Sequence, residues 1–232
     1  MVDPSLIAAM RAALCANEGG QPYRLSYAKL GKSGPSFGIF QADTHADKKA
    51  LATLGKILIA AHFDAASQAR ILGLLAQACP KGSPLDAADR TAVDAALSSP
   101  AGRALVDAKD DETFARIGHK VDAATLAARA RGMTINGDAQ IAIALWSNMT
   151  GDTAAAHLHH WLRGAAVYGV PPARANPVTL DDVYAYLART PFFAAHPRNL
   201  VHFRQSVEAG ARLAPKPPPS VIKPPPIVMK LA

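Results

Sequence analysis

From Ala46 onward the chain repeats one pattern: a small polar residue, apolar residues at helical spacing, then a glycine or proline. Such spacing gathers apolar side chains on one helix face, while the flanking residues supply cap and stop. Leu51, Leu54 and Leu58 mark one helix. Asp64 caps the next, with Ile71, Leu72 and Leu75 facing inward and Pro80 as its stop. Ser83-Pro84 and Ser99-Pro100 open two shorter helices, with proline at the first helical position. Residues 111–131 form another, ending at Gly132, with Asp110, Asp111 and Glu112 as its acidic first turn. The segment 138–149, with Ile141, Ile143, Leu145 and Trp146, is apolar on all sides and predicts a central helix. Asp152 caps 153–163, which Gly164 ends. Thr179 and Asp182 form a capping box, and Leu200, Phe203 and Val207 define a last helix that fades near Gly210.

Composition agrees with a helical body. Half of the 232 residues are hydrophobic, much of that alanine, and aromatics make up 6%. That balance favours packed helices over a β-sandwich. The length allows one large domain or two small ones, with a sizeable core. Cys15 and Cys79 are too few for a disulfide framework, and both fall on apolar helix faces, as buried free thiols.

The N-terminal helix starts with Asp3 as cap and Pro4 as its first residue, and Leu6, Ile7, Met10 and Leu14 give it a buried face. Gly19 and Gly20 end it, which leaves Glu18 at its C-terminal edge, where a negative charge opposes the helix dipole. Residues 21–43 alone have β character. Tyr23, Leu25 and Tyr27 alternate, Gly31 to Pro35 is dense in turn residues, and Phe37 to Phe40 reads as a short strand. The expected fold is therefore mainly α, in the α+β sense: a helical domain over 1–213 with a small β-hairpin beside the first helix. Residues 214–232, with prolines 215, 217–219 and 224–226, read as an extended proline-rich tail and a possible docking element.

The chain has three glutamates: Glu18, Glu112 and Glu208. Glu112 belongs to the acidic turn described above, and Glu208 lies on an exposed face of the last helix. Glu18 alone stands between an apolar helix and a glycine break. A partly desolvated carboxyl there can stay protonated near neutrality, as a general acid on a glycosidic oxygen must; the alternative is an ordinary solvated glutamate at a helix end.

Glu18-Gly19-Gly20 followed by Phe37-Gly38-Ile39-Phe40-Gln41 resembles the goose-type lysozymes and soluble lytic transglycosylases. In that family a catalytic glutamate ends a helix and a Gly-Leu-Met-Gln-like segment follows. The resemblance covers residues 5–60 and implies a lysozyme-like fold that cleaves the β-1,4 bond of peptidoglycan. It makes Glu18 the general acid and Asp43 the second carboxylate. Gly38 would let a sugar ring approach the backbone, and Gln41 would support the hairpin or contact the saccharide. Ser36, Tyr23, Trp146 and Asn148 are further candidates for substrate contact, Trp146 being equally suited to the core. With the two carboxyls about 6.5–9.5 Å apart and water between them, Asp43 would be the base of an inverting hydrolase. Otherwise Glu18 acts as acid and then base, as in a transglycosylase. The chain departs from the family at Gly19, where serine is usual. Its counterpart of a later Ala-Tyr-Asn-Ala-Gly-like segment is the loosely similar Leu145 to Gly151.

The formal charge of +7 suits a polyanionic surrounding such as wall polymer. Arg116, Lys120, Arg129 and Arg131 supply either a basic face or an ordinary solvated helix surface. Lysines and arginines are otherwise dispersed with few aromatics among them, which argues against a nucleic-acid partner. His157 and His160 share a helix face, but no Cys or acidic partner follows at ligand spacing, so no metal and no cofactor are assigned. His45 and Asp47 flank Asp43, either to tune it or as a solvated helix start. The N-terminus lacks a basic region before its apolar run, which Arg11 breaks, so it does not read as a signal peptide. No run of about 18 apolar residues is present to span a membrane. A wall enzyme of this kind would reach its substrate after lysis or by specialised secretion. The rival readings are a chitinase- or chitosanase-like glycosidase and a non-catalytic wall-binding or adaptor module.

Overall fold

The computed structural model describes residues 4–18, 21–27, 33–150 and 152–214. Among them are ten helices and three short strands. Helix α1 (Pro4–Glu18) precedes β1 (Ser26–Tyr27), β2 (Pro35–Phe37) and β3 (Ala42–Asp43). Then follow α2 (Lys48–Ala60), α3 (Ala65–Leu75), α4 (Ala87–Ser98), α5 (Pro100–Arg129) and α6 (Gly137–Met149). Last come α7 (Asp152–Leu162), α8 (Leu180–Leu187), α9 (Pro191–Ala195) and α10 (Pro197–Ala211). The mainly helical reading with one small β region holds. The β region is a three-stranded antiparallel meander in the order β1-β2-β3, pairing Ser26 with Ser36 and Phe37 with Ala42.

Local cap chemistry places most helix starts. The side chains of Asp47, Asp64 and Asp86 accept N–H bonds in the first turns of α2, α3 and α4. Ser99 does the same for α5, and Thr179 with Asp182 closes a complete capping box on α8. Asp3 and the proline-rich tail lie outside the described residues, as does the Asp152 side chain.

Four expectations are corrected. Ser83 does not cap a helix: its hydroxyl bonds Tyr27 and the Leu85 carbonyl, and Asp86 starts α4. The helix opened by Ser99 runs unbroken to Arg129, so Asp110, Asp111 and Glu112 lie in mid-helix and not in a first turn. On α1 the face turns so that Leu6, Met10 and Leu14 are buried while Ile7 is exposed. Cys15 is exposed, and Cys79 is buried in the loop after α3, which ends at Leu75 well before Pro80.

Two apolar cores result, and α5 threads both. The larger gathers α1, α6, α8 and α10 with the second half of α5, from Phe114 to Ala128. The central helix α6 contributes Ile141 to Trp146, all buried, to that core. The smaller core joins Leu25 and Phe37 of the β region to Leu54, Ile57, Ile71, Leu97 and Val106. Between Val106 and Phe114 the buried stripe of α5 turns polar, at Lys109, Asp110 and Thr113. Helix α10 packs along α1 so closely that a Cβ on Gly210 would lie 2.4 Å from the Ala9 carbonyl oxygen. At the end of α1, the His202 ring bonds the Asn17 carbonyl at 2.9 Å, satisfying one of the last helix carbonyls.

Candidate functional site

The polar interruption of α5 is where the β region docks. Gly38 begins the turn after β2 with φ +80, a left-handed conformation that glycine adopts freely. The Asp110 carboxylate then accepts the Ile39 N–H at 2.9 Å and the Phe40 N–H at 3.5 Å. A Cβ on Gly38 would sit 2.5 Å from Asp110 Oδ1. The close approach that Gly38 permits is thus to a protein carboxylate, where a sugar ring was expected. Asp110 is 2% exposed, and burial pushes its carboxyl above the ordinary aspartate value, against the lowering pull of the two turn N–H groups.

Asp43 is equally engaged. One oxygen accepts the His45 and Ala46 N–H groups at 2.8 and 3.1 Å, and the other the Gly34 N–H at 3.0 Å. Three backbone donors make it the knot that ties β3 to the entry of β2. Beside it the Thr44 hydroxyl reaches the Leu75 carbonyl at 2.6 Å, and the His45 ring bonds the Ala76 carbonyl at 2.9 Å. Gln41, at φ +50, spends its amide inside the turn: Nε2 bonds the Gly38 carbonyl at 3.3 Å, and Oε1 accepts the Ser26 hydroxyl. Ser36 is half-buried in β2, and its carbonyl accepts the same Ser26 hydroxyl at 3.3 Å.

A cleft of about 400 Å³ opens between this turn, the start of α2 and α5. Gln41, Asp43, Lys48, Thr113, Arg116 and Asn148 are among its walls, so it unites three of the catalytic and substrate-contact candidates, Gln41, Asp43 and Asn148, with Arg116 of the basic run. A second hollow of about 510 Å³ shares Asp47, Lys48, Thr113 and Arg116 with it and continues past Lys109, Glu112 and His119. The nearly buried Lys109 ammonium bridges Asp47 at 2.9 Å and Glu112 at 3.6 Å, and Lys49 also holds Glu112, at 2.5 Å. Burial would raise the Asp47 carboxyl, but Lys109 and the N–H groups of the first turn of α2 outweigh it and hold the group below its ordinary value.

The other candidates lie elsewhere. Trp146 is 2% exposed and stacks in the large core, 5.4 Å from the Phe193 ring, and is not among the walls of the cleft. Tyr23 borders a separate hollow with Ser98 and Arg103; its hydroxyl bonds Asp107 at 2.8 Å and its ring carries the Arg103 guanidinium. The His157 ring bonds the Tyr168 hydroxyl, and His160 is exposed. Among the described residues no cluster of His, Cys, Asp or Glu is arranged to hold a metal. Arg131 of the basic run is tied to the Ala173 carbonyl, whereas Arg116 reaches the cleft. No helix among the described residues is long and apolar enough to cross a membrane.

Glu18 is the last residue of α1, and its side chain lies outside the described residues. Arg11 pairs with Asp111 and lies over the Phe114 ring at 4.7 Å, and that ring is 6.2 Å from Phe40 of the turn. Cys15, one turn on, is influenced by both Asp110 and Arg11.

Asp110, Lys109 and Lys48 were not singled out from sequence. Asp110 had a readable signal, since it sits four residues from both Val106 and Phe114, on the buried line of α5. An acid in an apolar register needs a specific partner. Comparison of the chain with protein families, with characterised proteins and with solved structures returns no match.

Proposed function

We propose that this chain is a muramidase, a lysozyme-like enzyme that cleaves the β-1,4 glycosidic bond of peptidoglycan with Glu18 as its general acid. The observation that carries the reading is that Glu18 ends α1, the helix whose Arg11 pairs with Asp111 of α5. That helix is backed by α10, and α5 carries Asp110, which clasps the turn from Gly38 to Phe40. In this reading the protonated Glu18 carboxyl gives its proton to the glycosidic oxygen as the C1–O bond breaks. Positive charge then develops on the sugar ring, and a second oxygen closes on C1. The polar cleft lined by Gln41, Asp43 and Asn148 is the track for the glycan.

The three backbone bonds on Asp43 give it an architectural duty that a base at this position would have to share. The product end assigns the second proton transfer. A reducing muramoyl end means that water attacked, with Asp43 as the available base; an anhydro end means that Glu18 acted twice. The wall is the site of action.

Glu18→Gln tests the proposal, because it keeps the shape of the side chain and removes the transferable proton. Turbidity of purified sacculi should stop falling in the variant while its helical circular dichroism matches that of the parent. Full lysis by the variant sinks the reading. Equal turnover of chitin oligomers and peptidoglycan would move the enzyme to a broader amino-sugar specificity. Retention of wall polymer without release of sugar would make the chain a binding module.

A further inference from the structure

The charges of the two adjoining hollows are unevenly committed. Their walls carry four permanent cations, Lys48, Lys49, Lys109 and Arg116, against three carboxylates, Asp43, Asp47 and Glu112. Every one of these carboxylates is already occupied. Asp43 accepts three backbone N–H groups. Asp47 caps α2 and pairs with Lys109, and Glu112 pairs with both Lys49 and Lys109. Lys48 and Arg116, both exposed, stand on the rim that the two hollows share, and no carboxylate among the described residues pairs with either. Arg116 also lies near enough to Lys49 to repel it.

From this imbalance we infer that the rim formed by Lys48 and Arg116 is a subsite for a carboxylate borne by the glycan, a specificity element beyond the bond-cleaving corner. The inference rests on the proposed reading of the cleft as a glycan track. Two cations projecting from different helices, α2 and α5, recognise an anion set to one side of the sugar chain, and the planar Arg116 fork suits a carboxylate in two-point contact. Asn148 of α6 and Gln41 of the turn also line the hollow, and the neutral sugar hydroxyls and acetamido groups would lie against them. Wall glycan offers the required anion in one of two forms: the carboxylates of the stem peptide where a muramic acid carries one, or the lactyl carboxylate where the peptide amide has been cleaved. Chitin offers neither. The subsite therefore separates wall glycan from neutral amino-sugar polymers, and its contribution weakens as salt screens the exposed charges.

Calorimetric titration of the full chain with three tetrasaccharides tests this: peptide-bearing wall glycan, the same glycan stripped of peptide by an amidase, and chitotetraose. The wild type should bind peptide-bearing glycan more tightly than chitotetraose, and the preference should shrink in about 0.5 M salt. The double variant Lys48→Met/Arg116→Met should bind peptide-bearing glycan about three- to tenfold more weakly and chitotetraose unchanged. Weakening by the double variant that is confined to the peptide-bearing glycan assigns the stem carboxylates, and weakening for the stripped glycan as well shows that the freed lactyl carboxylate serves the same rim. Equal weakening for chitotetraose, no weakening for peptide-bearing glycan, or a preference insensitive to salt overturns the subsite. The outcome is separable from that of the catalytic reading. Wild-type sacculus lysis with unselective binding refutes the subsite alone, and selective binding without any lysis refutes catalysis alone.

Discussion

The two cores of this molecule are made of different material. The larger one is rich in rings: Trp161 lies 5.0 Å from Tyr186, and Phe193 lies 5.4 Å from both Trp146 and Phe203. The smaller one, under the β region, is almost wholly aliphatic, with Phe37 as its one ring among the fully buried residues. Rings of fixed shape interlock and hold α6, α8 and α10 in one arrangement. The aliphatic core leaves the position of the β region to be set by hydrogen bonds at the seam, through Asp110, Asp43 and the Lys109 ion pairs. The cleft lies along that seam. The contrast separates a stability-bearing half from a half whose polar contacts shape the candidate site.

Substitutions in each half should differ in kind as well as in size. Trp146→Ala removes a fully packed ring from the large core and should cost about 3–5 kcal/mol in urea denaturation. Proteins retaining the fold should bind glycan as the parent does. Weakened glycan binding at undiminished stability would return Trp146 to the cleft and blur the contrast.

Gly38→Ala brings a methyl group against Asp110 Oδ1 at a positive φ, and should cost about 2–3 kcal/mol. It should also displace the turn that carries Gln41. Combined with Asp110→Ala, which makes room, the loss should fall well short of the sum of the single losses, a non-additivity that a double-mutant cycle reads directly. Strict additivity would mean that the two residues do not form one clasp.

Two carboxyls of the seam should give pH dependences of opposite sign. Asp110 has its carboxyl raised by burial above 3.8, so the folded chain holds that proton more tightly than the unfolded chain. Its contribution is fully present below 3.8 and is lost as pH rises through the raised value. Asp47 is held below 3.8, so its contribution is present above that value and is lost as pH falls through the lowered one. Asp110→Asn should therefore gain stability relative to the parent as pH rises above 3.8, and Asp47→Asn should lose it relative to the parent as pH rises toward 3.8 from below. Urea midpoints measured across pH check both slopes, and parallel curves for Asp110→Asn and the parent would refute the first.

The smallest effect belongs to Lys109→Met. The lysine is nearly buried, but its partners Asp47 and Glu112 are 39% and 51% exposed, so water takes over much of their stabilisation. A cost of about 1 kcal/mol is expected in the same denaturation experiment.

Much of the helical body was legible because its signals are local. Asp64, Ser99 and the Thr179–Asp182 pair bond N–H groups within three residues, so adjacent sequence suffices to find them. The run Asp110-Asp111-Glu112 misleads for the same reason, since an acidic first turn and an acidic mid-helix segment read alike. What distinguishes them is distant: the N–H groups that Asp110 accepts come from Ile39 and Phe40, and the lysine that Glu112 pairs with most closely is Lys49. At the site, Asp43, Gln41 and Asn148 were legible as residues that converge, while the duties of Asp43 and Gln41 within the turn were not. A carboxylate that ties a turn together and one that awaits a substrate differ only in which donors the fold brings to it.

The central claim is that Glu18 drives cleavage of the glycan strand. Mass spectrometry of fragments released from purified sacculi by the parent protein and by Glu18→Gln tests it most directly. The account predicts fragments cut at the β-1,4 bond, with muramoyl ends, from the parent and none from the variant. Equal release by the variant, or fragments whose glycan is intact and whose peptides are cut, would contradict it.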